Sequence, residues 1–140
     1  MTSLTLPGRL ESLDQVAEFV QTAAQEAQLP APAAYRLQLA VDEVATNVVT
    51  HAYREKGLDG ELHLLCERDA TALTIHVEDT GEPYDPTTRP EPTDLDRPLE
   101  EREIGGLGLF LARRSVDELR YERRGDRNRM TFVVRLPTSP

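Results

Sequence analysis

The spacing of apolar residues changes along the chain, and each change predicts an element. Leu13, Val16, Phe19, Val20, Ala23, Ala24 and Ala27 recur at helical spacing, which predicts a helix from Ser12 to about residue 28. Ser12, with Gln15 three residues on, has the form of a capping box at its start. The segment LPAPAA reads as a loop, with Pro32 suited to the first turn of a second helix from about 33 to 53. The stripe of that helix is Leu37, Val41, Val44, Val48 and Ala52, and REKGLDG beyond it reads as a turn. Two strands follow, ELHLLCER (61–68) and ALTIHVED (72–79), the second alternating cleanly at Leu73, Ile75 and Val77. Residues 3–10 form another short strand, where Pro7 favours an edge.

The pattern then breaks. Residues 80–103 hold five of the ten prolines and almost no apolar side chains. A loop of that length inside a compact domain is either functional or disordered. IGGLGLFLARRSV resumes as a glycine turn opening an apolar helix, and DELRYERR and RMTFVVRLP read as two strands around the turn GDRN. The order is strand, helix, helix, strand, strand, loop, helix, strand, strand. It predicts one α+β domain over residues 1–140, a single sheet with helices packed on one face.

Composition narrows the chemistry. The formal net charge is -9, a poor match to nucleic acid or an anionic membrane. Cys66 is the sole cysteine, so neither a disulfide framework nor a thiolate metal cluster is available. No apolar run approaches the roughly 18 residues of a membrane span. The N-terminal stretch lacks a basic region followed by an apolar one, so the expected location is the cytoplasm.

Four places could carry chemistry. In VDEVATNVVTHAY, Glu43 and Asn47 lie one helical turn apart, beside the apolar stripe. Taken alone they read as a solvated flank or as a metal–nucleotide site, Asn47 offering a hard amide oxygen for Mg²⁺ and Glu43 a base for an attacking hydroxyl. His51 follows in the same row and reads as packed or capping. In VEDTGEPYDP, Asp79 ends a strand and Gly81 follows. This is either an ordinary turn or a carboxylate that accepts from an exocyclic amine beside a glycine that admits a flat ring. Gly105, Gly106 and Gly108 open a helix, where free N–H groups favour phosphate, although tight helix packing needs the same glycines. Thr131 in the last strand could reach a pocket or sit in an exposed hairpin.

Their order joins them. E-x3-N on a helix, D-x-G after a strand, a long polar loop and G-G-x-G-L on a helix together resemble the GHKL nucleotide-binding superfamily. Within it, LQLAVDEVATNVVTHAY, VEDTGEPYDP and IGGLGLFLARRSVDEL followed by NRMTFVVRL resemble the anti-sigma-factor serine/threonine kinases of the RsbW and SpoIIAB type. The broad D-x-G-x-G pattern has Pro83 at its fifth position here, and Tyr84, Asp85 and Pro86 after it fit the anti-sigma branch.

The resemblance implies a two-layer α/β sandwich of the Bergerat type, with a mixed, largely antiparallel sheet, that binds ATP and Mg²⁺. It implies that Asn47 holds the metal and Glu43 acts as base. Asp79 and Gly81 would bind adenine, with Thr131 supporting that end. Gly106 and Gly108, with Gly105 adjoining, would hold the phosphates, and residues from about 82 to 104 would form the lid. It further implies a sigma factor and an anti-anti-sigma STAS-domain protein as partners, the latter phosphorylated, with homodimerisation a family expectation. Three alternatives stay open: a nucleotide-binding module without kinase activity, a switch kinase of the RsbT type in a signalling complex, and a detached histidine-kinase catalytic domain.

Overall fold

A computed structural model describes residues 1–85 and 112–137. Five strands form one sheet: β1 (Thr2–Pro7), β2 (Glu61–Arg68), β3 (Ala72–Asp79), β4 (Glu118–Arg124) and β5 (Arg127–Arg135). Their spatial order is β1-β2-β3-β5-β4, and every pairing is antiparallel. The expected mixed character is absent among the described residues. Pro7 ends the edge strand, where a missing N–H leaves no gap in the ladder.

Side chains alternate across a strand, and the register fixes which ones share a face. Leu73, Ile75, Val77 and Asp79 of β3 lie opposite Val134, Phe132, Met130 and Asn128 of β5. This face joins Leu62 and Leu64 of β2 in the core. Two helices cover it, α1 (Leu13–Glu26) through Val16, Val20 and Ala23, and α2 (Ala31–Asn47) through Leu37, Val41 and Val44. Removal of this apolar surface from water supplies the main drive to fold. The opposite face carries polar residues, including Glu78, His76 and Thr131.

Local chemistry departs from the simple patterns in two places. Ser12 does not cap α1. Its hydroxyl donates instead to the Pro7 carbonyl at 2.7 Å, because a short 3-10 turn, Leu10–Ser12, precedes the helix and turns Ser12 inward. At the other end α1 closes with a Schellman pair, Leu29 N–H to Ala24 O and Gln28 N–H to Gln25 O, both 3.0 Å. Gln28 takes the left-handed position at φ 56°.

The second departure changes the site. α2 does not continue as an α-helix to residue 53. After Asn47 it widens into a π-helical segment, Val48–Arg54. Glu55 N–H reaches back five residues to Thr50 O at 2.9 Å, and the end closes with a Schellman pair, Leu58 N–H to Tyr53 O and Gly57 N–H to Arg54 O, with Gly57 at φ 65°. The buried row Leu37, Val41 and Ala45 continues through this segment to Val49 and Tyr53, while Val48 packs against the core and Ala52 is half-buried.

Candidate functional site

Glu43 and Asn47 lie on the last full turn of α2, both half-buried, on a flank next to buried Val44 and Ala45. Asn47 is the last α-helical residue, so the E-x3-N pair stands where the helix changes pitch. Five residues later the π-helical segment presents Ala52 to Gly81. A Cβ added to Gly81 would come within 3.0 Å of both the Ala52 methyl and Asp79 Oδ1. A side chain at this position would push helix and loop a few tenths of an ångström apart, so glycine suits the close approach. The helix that carries Glu43 and Asn47 is thereby packed on the loop that carries Asp79 and Gly81.

Asp79 ends β3 and is buried, at 5% exposure. Among the described residues both of its hydrogen bonds fall on one oxygen. Oδ1 accepts from Gly81 N–H at 2.8 Å and from Asn128 Nδ2 at 3.0 Å. That geometry fixes the carboxylate and directs Oδ2 away from these partners. A fixed acceptor beside a glycine fits a flat ring with an exocyclic amine.

Thr131 is not brought to this place. Strand parity puts it on the sheet face away from the helices, level with His76, whose Nδ1 shares a 2.8 Å hydrogen bond with Thr131 Oγ1. The residue that meets Asp79 from β5 is Asn128, its direct register partner. Besides Asp79 Oδ1, its Nδ2 donates to Glu82 O at 2.8 Å, and its Oδ1 accepts from Tyr121 Oη at 2.5 Å and Tyr84 N–H at 3.3 Å. In the sequence Asn128 reads as part of the turn GDRN, and the alternation that could have found it is visible only once the register is known.

Other contacts hold the same loop. Arg123 donates to Gly81 O at 2.8 Å, and Lys56 pairs with Glu82 at 2.5 Å. That lysine holds the Glu82 carboxyl below its ordinary pKa. Tyr53 Oη accepts Thr80 N–H at 2.8 Å. His51, expected to be packed or capping, is exposed and pairs with Glu55 at 3.1 Å. Gly105, Gly106, Gly108 and most of the stretch read as a lid lie outside the described residues.

Among the described residues no three His, Cys, Asp or Glu side chains gather to hold a metal by themselves. A cation here would rest on Asn47 and on oxygens of a bound phosphate chain, a donor set that suits Mg²⁺, which keeps few protein ligands.

On the far face of the sheet, Glu78 is buried between Arg127 at 3.0 Å and Arg129 at 2.5 Å. Burial pushes its carboxyl up, but the hydrogen bonds and charge of the two guanidinium groups outweigh it and hold the pKa below the usual range. Burial, aided by Arg129, lowers the neighbouring His76.

Comparison with known proteins gives the kinship of the chain. The model of the histidine kinase-like ATPase domain matches residues 6–134. The serine/threonine-protein kinase BtrW of Bordetella bronchiseptica is 35% identical over 99 residues, covering 71% of this chain and 68% of that protein. The serine-protein kinase RsbW of Staphylococcus aureus is 34% identical over 102 residues, covering 70% of this chain and 64% of that one. The chain thus spans about two thirds of the length of these relatives. Among solved structures, the SiaB–SiaC complex of Pseudomonas aeruginosa aligns with a TM-score of 0.65 at 14% identity, over 96% of this chain and 89% of that one. The RsbU and RsbW domains of Rv1364c from Mycobacterium tuberculosis align with a TM-score of 0.62 at 17% identity, over 99% of this chain and 34% of that one. At such identities the structural likeness speaks for the fold, while the family model and the nearer sequence relatives carry the kinship. The chain belongs to the histidine kinase-like ATPase domain family, and within it is similar to serine- and serine/threonine-protein kinases.

Proposed function

We propose that this chain binds ATP with Mg²⁺ in the corner between the end of α2 and the end of β3, and phosphorylates a serine or threonine of an anti-anti-sigma STAS-domain protein in the cytoplasm. A sigma factor is its second partner, sequestered when the STAS protein is phosphorylated. The observation that carries the reading is the fixed carboxylate of Asp79 beside Gly81, packed on the helix of Glu43 and Asn47.

Each residue has a task that its chemistry allows. Asp79 accepts the exocyclic amine of adenine, and Gly81 leaves room for the ring. A hydrogen bond to a charged, buried acceptor contributes about 1.5–3 kcal/mol. Asn47 offers its amide oxygen to Mg²⁺, which when bound neutralises phosphate charge. Gly105, Gly106 and Gly108 offer backbone N–H groups to the phosphates. Glu43 takes the proton of the acceptor hydroxyl as its oxygen bonds to the γ-phosphorus and the bond to the leaving ADP oxygen breaks. Phosphoryl transfer depends chiefly on positioning and charge neutralisation. We assign the support of Asp79 to Asn128 in place of Thr131.

The test is calorimetric titration of Mg²⁺-ATP into wild type and Asp79→Asn. Asparagine cannot keep a charged acceptor at both oxygens, so affinity should fall at least tenfold. Wild type that is folded and binds no adenine nucleotide overturns the reading. Binding without transfer to any STAS protein would leave a nucleotide-dependent binding module instead.

A further inference from the structure

Tyr53 is among the largest fully buried side chains, yet it carries a hydroxyl. Its ring lies against two glycines. A Cβ at Gly8 would sit 2.5 Å from the ring, and one at Gly60 would overlap it. Gly8 N–H donates to Gly60 O at 2.8 Å, so the two glycines form a joined backbone floor. The buried hydroxyl is fully used. It donates to Glu61 O at 2.8 Å and accepts Thr80 N–H at 2.8 Å, with Thr80 Oγ1 at 3.3 Å. Burial raises its pKa, so it remains a neutral donor and acceptor at any physiological pH.

Thr80 is the residue between Asp79 and Gly81. The bond it makes to Tyr53 therefore fixes the backbone of the two residues assigned to the base. Tyr53 lies in the π-helical segment that continues the helix of Glu43 and Asn47, at the end of the buried row Leu37, Val41, Ala45, Val49. A change of pitch in that segment would shift the Tyr53 hydroxyl relative to the Thr80 amide.

We infer that Tyr53 is a positioning residue for nucleotide recognition, and that the π-helical segment exists to aim its hydroxyl at the Thr80 amide. The inference rests on the function proposed above. Through Thr80, Tyr53 sets the distance between the Mg²⁺–base helix and the base-reading loop. Removal of the hydroxyl loosens Asp79 and Gly81 without touching the metal or phosphate groups. The loss therefore falls on recognition of the base rather than of the triphosphate.

The experiment is titration of Mg²⁺-ATP and Mg²⁺-GTP into wild type and Tyr53→Phe, with amide hydrogen exchange followed at Thr80. Phenylalanine keeps the ring on its glycine floor. ATP affinity should fall about tenfold, and GTP affinity should be unchanged, so that preference for ATP falls by the same factor. The Thr80 amide should exchange at least tenfold faster in the variant. Equal ATP affinity and preference in a folded variant overturn the inference while leaving the function intact. Equal losses for ATP and GTP also overturn it, since that pattern marks a general structural role. Wild type that binds neither nucleotide overturns the function proposal, and the inference with it. Fast Thr80 exchange in nucleotide-free wild type overturns the inference even if the variant does not fold.

Discussion

Asn128 and Asp79 are direct partners across β5 and β3, and the amide of one donates to the carboxylate of the other at 3.0 Å. The amide also bonds Glu82 O at 2.8 Å, so a single side chain ties the last residue of β3 to the segment that leaves it. Its own oxygen is held by Tyr121 and Tyr84. Asn128 cannot rotate without breaking several bonds, and that rigidity passes to Asp79.

Asn128→Ala removes this brace. We expect nucleotide affinity to fall about tenfold, the size of one lost buried hydrogen bond with a charged acceptor. Thr131→Val should leave affinity unchanged and lower stability by about 1 kcal/mol, since it orphans the buried His76 ring nitrogen on the opposite face. Calorimetry and thermal melts on the two variants decide the assignment. Loss of nucleotide binding in Thr131→Val with affinity intact in Asn128→Ala would reverse it.

The contrast between Asn128 and Thr131 shows what the chain's pattern could and could not reveal. Strand identities, the two helices and the E-x3-N, D-x-G elements were legible, because each depends on residues close in sequence. The face that Thr131 takes is hidden in the sequence, because facing is a property of register, and register depends on which residues of another strand pair with it. One step of parity moves a side chain to the other face. The π-helical turn was hidden for a related reason. Val48 and Ala52 continue an α-helical stripe on paper, and no residue of VVTHAYR marks the wider turn locally. Asp79 and Gly81 stand out in the sequence as a D-x-G motif, but the closeness of Gly81 to Ala52, which brings that motif to the helix of Glu43 and Asn47, is a tertiary fact.

Glu43→Gln keeps the shape and hydrogen-bonding reach of the side chain while removing its basicity. Mg²⁺-ATP affinity should change less than threefold. Phosphate transfer to a STAS-domain acceptor should fall about 10²–10⁴-fold, the range for loss of a general base. Radiolabel transfer measured at saturating ATP checks this. Undiminished transfer would remove Glu43 from the proton path.

Glu78 offers a test of the opposite face. Its carboxyl is held below the ordinary range by Arg127 and Arg129 against the effect of burial. A depressed carboxylate stabilises the fold above its unfolded pKa, and that stability is lost as pH falls through the lower folded value. Glu78→Gln should cost about 3 kcal/mol at pH 7, the low end for breaking a buried ion pair. The gap from wild type should close as the pH is lowered past the ordinary glutamate value of 4.5. Denaturant melts across pH measure it. A gap that stays constant with pH would mean that packing, not charge, is what the glutamate provides.

Asp42 gives the reverse sign, one residue before Glu43. Its Oδ1 is buried with no hydrogen-bond partner among the described residues. Burial raises its carboxyl pKa, and a hydrogen bond from Gln38 offsets this in part. A raised carboxyl favours the fold when protonated, below its unfolded pKa, and that contribution is lost as pH rises through the folded value. At neutral pH the charged form therefore costs stability. Asp42→Asn should raise stability at pH 7, because it removes the buried charge while keeping the shape of the side chain. The gain should vanish below the ordinary aspartate value of 3.8, where both side chains are neutral. Melts of the two proteins at pH 7 and at pH values below that point distinguish the cases. If Asp42→Asn is instead destabilising at pH 7, the charge is wanted where it stands, next to the residue assigned as base, and Asp42 then belongs to the site rather than to the packing of α2.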